Sequence, residues 1–309
     1  MRTVFINELI QQARIRPDLF LVVGDLGFSV VEPFAQEFPG RFLNAGVAEQ
    51  NMTGVAAGLA SEGYHVFTYS IANFPTFRCA EQIRNDIAYH GLPVTVVSVG
   101  GGLAYGNLGY SHHAVQDLAL MRAFPGLLLA CPGDPVETQA CVRFLSAHPR
   151  PSYLRLGKGG EARVRSGDVE LHPGGILPMH EGTGARCALL TTTAVLKLAV
   201  DASMAPELAQ AWDVASLPLW NAECVQATLP AWAAKYDRIV IVEDHLAAGG
   251  FASFVRESLA DTPALGTRVR GLSLSAGVCG MVGAQAALNI AGGLSVANLV
   301  SIMNAWAAA

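Results

Sequence analysis

The chain lacks any CxxC pair and any cysteine at ligand spacing from a histidine. Its six cysteines, Cys79, Cys131, Cys141, Cys187, Cys224 and Cys279, are scattered over 309 residues. They read as buried thiols of a cytoplasmic protein and exclude a disulfide framework. Charge is also scarce: Asp, Glu, Lys and Arg make up 15% of the chain, and the formal net charge is −5. There is no block of basic residues, so neither phosphate neutralisation nor polybasic attraction has side chains to work with, which argues against nucleic acid and membrane partners. Small anionic substrates stay open, because two or three well-placed arginines suffice. The N-terminal segment MRTVFINELIQQARIRPD reads as an amphipathic helix rather than a signal, and no uncharged apolar run is expected to reach membrane-spanning length. Gly24-Asp25-Leu26-Gly27 follows an apolar run but has neither GxGxxG spacing nor a Walker lysine, and it fails as a nucleotide loop. Adjacent His112 and His113 point different ways on a regular backbone, which speaks against a shared metal, and no metal site is expected in this chain.

What is present is apolar: 51% of the residues, enough for one large or two ordinary cores. Apolar runs alternate with helical patterns, the signature of an α/β fold in which a mainly parallel sheet is covered by helices on both faces. Strands are expected at 19–23, 41–44, 65–69, 94–99, 127–131 and 152–156, each after a Gly or Pro turn signal, with helices near 4–14, 49–61, 78–89, 114–123 and 135–147. This completes a first three-layer domain over 1–156. The stretch GKGGEARVRSGDVELHPGGILPMHEGTGA then loses periodicity, so 157–184 is read as a linker. A second three-layer α/β domain occupies 185–309, with strands at 187–191, 212–216, 239–242 and 269–272 and a small-residue segment, 295–308, closing it.

The stretch LNAGVAEQNMTGVAAGLASEG organises the rest. A short apolar run ends at Gly46, and a small-residue helix opens with Glu49 in its first turn. Met52, Val55, Ala56 and Leu59 form a core face at helical spacing, while Gly54, Ala57 and Gly58 let another backbone come close. An acid in a first turn suits the helix dipole on its own, so Glu49 needs company to count as catalytic. Candidates for that company lie further along the chain. Gly100-Gly101-Gly102 opens a long loop after a strand, fit for an active-site loop or a plain turn. His112 ends that loop as a candidate pocket histidine, and Phe74 and Phe77 are either core residues or a stacking platform for an aromatic cofactor.

Five motifs in order, GVAEQN, YSIANFPTFRCAEQIRNDIAYHGLPV, GNLGYSHHAVQDLALMRAFPGLLLACPGD, PSYLRLGKGG and IVIVEDHLAAGGFAS, resemble the C-terminal half of transketolase and of deoxyxylulose-phosphate synthase. The resemblance covers nearly the entire chain: a pyrimidine-binding domain, then the transketolase C-terminal domain. It implies thiamine diphosphate chemistry. On that resemblance Glu49 takes the place of the glutamate that touches N1′ of the cofactor's aminopyrimidine and helps the thiazolium carbon lose its proton. Phe74, with Phe77 close behind, matches the aromatic that stacks on that ring. Asp25 falls near the thiazolium, His112 matches the histidine facing the reacting carbon, and Arg2, Ser29 and Arg155 match positions that bind the phosphate of sugar-phosphate substrates.

The departures are informative. The GDG motif with its later asparagine, which holds magnesium and the diphosphate in thiamine enzymes, is missing. The resemblance therefore implies a small subunit that works with a separately encoded N-terminal subunit carrying diphosphate and Mg2+, in an α2β2 assembly. The acidic position of the transketolase GEDG motif reads Leu108, and the histidine at the start of that loop reads Gly100, which implies a donor other than the usual ketol sugar. The alternatives are a 2-oxoacid dehydrogenase beta subunit, a deoxyxylulose-phosphate synthase-like enzyme, or a non-catalytic module that keeps the fold.

Overall fold

The computed structural model describes residues 1–208 and 211–308. Apolar runs of the first half, joined by one later return of the chain, build the first sheet. Its strands in chain order are β1 (Leu19–Val23), β2 (Phe42–Asn44), β3 (His65–Ile71), β4 (Val94–Val99), β5 (Leu128–Ala130) and β6 (Ser152–Leu156). The second sheet contains β7 (Leu177–His180), β8 (Cys187–Thr191), β9 (Trp212–Ser216), β11 (Arg238–Leu246) and β12 (Val269–Leu274), while β10 (Leu219–Trp220) crosses back to the first. Spatial order is β10-β5-β6-β4-β3-β1-β2 in one sheet and β12-β11-β8-β9-β7 in the other. Among the described residues all strand pairings are parallel except those of two edge strands: β10 runs antiparallel to β5, and β7 antiparallel to β9. The fold is the expected two-sheet, mainly parallel α/β architecture.

Three helices frame the first sheet's strand ends and outer face: α1 (Arg2–Ile15), α2 (Glu49–Ser61) and α3 (Pro135–Ala147). In α2, Met52 and Ala56 are fully buried against Val22 and Val66 of the sheet. Burying the Met52 side chain alone stabilises by about 1.5–3 kcal/mol. Gly63, at φ +94, turns the chain out of this helix into β3. In α3, the Asp134 carboxylate accepts the Glu137 N–H, and Pro135 sits at the first helical position, where no N–H is needed.

Four expectations are corrected. The helix expected over 78–89 is a broken series, Phe74–Phe77, Ala80–Gln82 and a wider π-type turn at Ile83–Ala88. The helix expected over 114–123 shrinks to Asp117–Met121, because the Ala114 backbone is engaged by Gly102 in a bridge and by Arg155. Within the stretch read as linker, Leu177–His180 forms β7, an edge strand that tolerates Pro178. The fourth concerns length. Gln285–Ala307 is an uncharged run of 23 residues with mean hydropathy 1.6, long and apolar enough by composition to cross a membrane. In the fold it is interrupted at Gly292-Gly293, with Gly293 at φ +88, into helices Gln285–Ala291 and Val296–Ala307. Leu288, Leu299 and Met303 pack these against the second sheet's core.

Candidate active site

The parallel strands β6, β4, β3, β1 and β2 end side by side, and each releases a loop at its C-terminal edge, where open α/β sheets collect ligands. After β1 comes the Gly24–Ser29 loop, after β2 the start of α2, after β3 the turn at Phe74, after β4 the long loop to His112, and after β6 the GKGG run. The sheet therefore gathers residues that are more than a hundred positions apart in the chain.

Glu49 is only 5% exposed. Its Oε2 accepts a hydrogen bond of 3.0 Å from Arg78 Nη1. The Arg78 guanidinium lies over the Phe74 ring, 4.1 Å from the centroid, and the His112 imidazole meets the same ring edge-on at 5.1 Å. Glu49, Phe74, Arg78 and His112 thus form one cluster. Partial burial, with the Arg78 and His113 charges beside it, holds the His112 imidazole below its ordinary pKa and so favours the neutral ring. His112 Nδ1 is paired with Ser111 Oγ at 2.9 Å. Asn73 fastens the histidine loop down: its Nδ2 donates to the Ser111 carbonyl at 3.1 Å and to the His113 carbonyl at 2.9 Å.

Asp25 lies on the loop after β1, at the same sheet edge. It sits at φ +55, and its backbone N–H and carboxylate are both held by Asn44, at 3.1 and 2.9 Å. Asn44 Oδ1 also accepts the Gly46 N–H at 3.0 Å, tying the first loop to the approach of α2. A side chain at Gly24 would lie 3.7 Å from the Glu49 stem. Ser29, exposed at φ +63, donates its N–H to Glu32.

Two expected residues do not join the site. Phe77 is 47% exposed and among the described residues makes no aromatic contact with the cluster, whose ring is that of Phe74. Arg155 is the larger correction. It is buried, with Nε donating to Asp117 Oδ2 at 2.7 Å, Nη1 to Asp244 Oδ1 at 2.8 Å and Nη2 to the Ala114 carbonyl at 2.8 Å. Two buried carboxylates already pair its charge in the interior, so its place is structural and not on a surface open to a substrate anion. The glycine triplet serves this network. A Cβ at Gly101 would lie 2.6 Å from Arg155 Cζ, and one at Gly102, where φ is +65, would lie 2.5 Å from Asp244 Oδ2.

Sequence reasoning passed over Lys158, two positions beyond β6 in the same GKGG run. It is exposed, and its Nζ lies over the Tyr105 ring, 4.9 Å from the centroid. A Cβ on neighbouring Gly159 would sit 3.5 Å from Arg2 Nε. Among the described residues neither Arg2 nor Lys158 has a carboxylate partner. Tyr105 links this cationic corner to the cluster, its ring 6.3 Å from that of His112. The signal available in the sequence was two cations on segments that flank one sheet edge. Among the described residues, no group of three His, Cys, Asp or Glu side chains could hold a metal ion.

The two mainly parallel sheets, with a buried first-turn glutamate beside an aromatic face at the strand ends, define a two-domain α/β class that includes the transketolase fold. Comparison places the chain within it. Residues 1–160 match the family described as "Transketolase, pyrimidine binding domain". The chain is 33% identical to an apulose-4-phosphate transketolase subunit of Phocaeicola vulgatus, over 85% of this chain and 84% of that one. It is 33% identical to a 6-deoxy-6-sulfo-D-fructose transketolase subunit of a Clostridium species, over 59% and 57%. A solved structure described as "Split gene transketolase, inactive beta4 tetramer" superposes with a TM-score of 0.85 at 29% identity, covering 98% of this chain and 96% of that chain. The chain belongs to the transketolase family and resembles its C-terminal section.

Proposed function

We propose that this chain is the C-terminal subunit of a thiamine diphosphate-dependent transketolase-like transferase. It moves a ketol or acyl unit from an anionic sugar-type donor to an acceptor, and it is active only with a separate N-terminal subunit. The observation that carries this reading is the pairing of the Glu49 carboxylate with the Phe74 ring face, spanned by a single flat cation. A carboxylate at the edge and an aromatic below are what an aminopyrimidine needs, so the residues present fit that end of the cofactor. They do not extend to the diphosphate, and Mg2+ is assigned to the partner, in an assembly read as α2β2.

When bound, thiamine diphosphate supplies a carbon that forms the bond to the transferred unit. Glu49 would hold the ring through N1′ and keep a proton there, and Phe74 would stack on its face. His112, neutral and oriented by Ser111 and Asn73, is placed to exchange a proton with a substrate oxygen. Asp25 lies on the rim beside the α2 approach. Arg2 and Lys158, with Ser29 on the loop after β1, form the handle for the donor's anionic group; Lys158 replaces Arg155 in that role.

Two of the relatives are named for sugars bearing a phosphate or a sulfo group, which supports an anionic donor. Leu108 stands half exposed in the loop before His112 and offers no acceptor to a hydroxyl. The donor is therefore one that lacks or inverts a hydroxyl of the ordinary pentulose phosphate. Free thiols at all six cysteines fit a cytoplasmic setting.

The test mixes the purified chain with a separately produced diphosphate-binding transketolase subunit from the same source, adds thiamine diphosphate and Mg2+, and assays a donor panel. Turnover by the pair and none by either chain alone is expected. Turnover by this chain alone, or xylulose phosphate handled as well as by an ordinary transketolase, would overturn the subunit reading or the altered-donor reading respectively.

A further inference from the structure

The contact in the cluster that no role yet explains is Arg78. Its guanidinium lies at the centre of the residues assigned to the cofactor: Nη1 on Glu49 Oε2 at 3.0 Å and Cζ 4.1 Å from the centroid of the Phe74 ring. His112 is close enough to feel its charge. A guanidinium is flat and delocalised, with N–H donors around its edge and a π face above and below. An aminopyrimidine bearing a proton at N1′ offers the same two things, an edge donor for a carboxylate and a flat face for a ring. Among the described residues the guanidinium makes no hydrogen bond except the one to Glu49. The anchorage is also asymmetric. The Glu49 side chain is 5% exposed and the Arg78 side chain 50%, so the carboxylate is fixed in the fold while the guanidinium reaches it from the solvent side.

We propose that Arg78 is a stand-in for the aminopyrimidine ring in the unloaded chain, and that cofactor entry and Arg78 departure are one exchange. This rests on the reading of the site given under Proposed function. The exchange keeps the buried Glu49 charge paired when the ring is absent, avoiding the cost of an uncompensated carboxylate. It also holds the space between Glu49 and Phe74 in its working shape before the partner arrives. The corollary is competition: the cofactor binds only to molecules whose Arg78 has left, so its apparent affinity is lowered by the fraction in which Arg78 is seated.

The experiment is calorimetric titration of thiamine diphosphate with Mg2+ into the assembled complex carrying wild-type chain, Arg78→Met or Arg84→Met. Methionine keeps the stem and removes the flat cation. Arg84, whose guanidinium donates to Asn85, is the control. Arg78→Met is expected to tighten binding about three- to tenfold, the range for releasing a half-exposed pair, with Arg84→Met unchanged. In the chain alone, titration with 4-amino-5-hydroxymethyl-2-methylpyrimidine is expected to move the Arg78 side-chain 15N resonance to its solvent value while the other arginines stay put. Should Arg78→Met not fold, Arg78→Lys keeps the charge without the plane and is expected to show a smaller gain in the same direction. Measurable wild-type binding with Arg78 variants equal or weaker overturns the exchange and leaves the proposed function standing. A complex that binds no thiamine diphosphate in any form overturns both.

Discussion

Arg155 of the first sheet and Asp244 of the second form an ion pair, Nη1 to Oδ1 at 2.8 Å, that fastens the two halves of the chain together. Asp117 completes the group from the other side at 2.7 Å, and it also accepts the Tyr153 hydroxyl at 2.6 Å. Asp244 Oδ1 accepts Thr193 Oγ1 at 2.6 Å as well. Removing the arginine leaves two buried carboxylates facing each other. Arg155→Met is therefore expected to cost about 3–5 kcal/mol of stability, read by urea unfolding of the chain, with no selective rise in KM for an anionic substrate at temperatures where the variant is folded. Unchanged stability with a raised KM would return Arg155 to the substrate site.

Gly102→Ala tests the same network from the backbone. Its φ of +65 is strained for alanine, and the new Cβ would press on Asp244 Oδ2. A loss of about 1–3 kcal/mol is expected, measured by the same unfolding curves. A neutral result would mean that the loop shifts freely and that the triplet is only a turn.

Glu49→Gln keeps the size of the side chain, its place at the start of α2 and an oxygen for the Arg78 donor. It loses the exchangeable proton. Activity of the assembled complex is expected to fall by about two orders of magnitude or more, with the thermal midpoint within a few degrees of wild type. A variant that turns over at the wild-type rate would take Glu49 out of the catalytic role.

The extent to which fold and site were legible in the sequence depends on where each residue's partners lie. Helices α2 and α3 could be read from end to end, because their limits are set by local chemistry: Gly63 beyond one, Asp134 and Pro135 at the start of the other. The parallel strands were legible as apolar runs between turn signals. Glu49, Phe74 and His112 do come together, since strand order alone brings their loops to one edge. Arg155 was misread because its partners stand 38 and 89 positions away and nothing local marks it as already satisfied. Helix 114–123 fell short for the same reason, its first backbone groups being claimed by Gly102 and Arg155. Arg78, inside a quoted motif, carried no signal of its own, because its meaning depends on Phe74 and Glu49 being in place.

His65 gives a pH dependence with a defined sign. It is buried, its Nδ1 has no partner among the described residues, and its Nε2 reaches Thr95 Oγ1 at 3.3 Å. Burial, with the nearby Arg16 charge and against that of Asp18, pushes its pKa down to about 4. The unfolded chain takes up this proton near pH 6.5 and the folded chain only near 4, so stability is lost as pH falls through that window. The full loss is about 3 kcal/mol. Glu243 slopes the other way: burial pushes its carboxyl up to about 7, so folding favours the protonated form and loses stability as pH rises from its unfolded value to 7. The difference between wild type and His65→Gln unfolding free energies, measured from about pH 7 to about pH 4, isolates the histidine. It is expected to shrink or reverse toward acid, and a constant difference would show that His65 titrates in the fold as it does in the unfolded chain.

Lys158 and Arg2 separate the anion handle from the structural arginine. Both lie at the strand-end edge without a carboxylate partner among the described residues, and Lys158 is exposed. Removing an exposed cation leaves no buried charge behind, so Lys158→Ala is expected to change stability by less than about 1 kcal/mol. A charge-assisted hydrogen bond to an anion is worth about 1.5–3 kcal/mol, which at about 1.4 kcal/mol per decade corresponds to a KM rise of roughly ten- to a hundredfold for the anionic donor. The rate at saturation should change little, since the contact is made equally before and during reaction. Screening sharpens the test: at the strand-end rim the wild-type KM should climb with ionic strength, and the Lys158→Ala curve should be flatter. A KM that neither substitution nor salt disturbs, measured with the assembled complex, would move the donor's charge away from this corner and leave the GKGG run a plain turn.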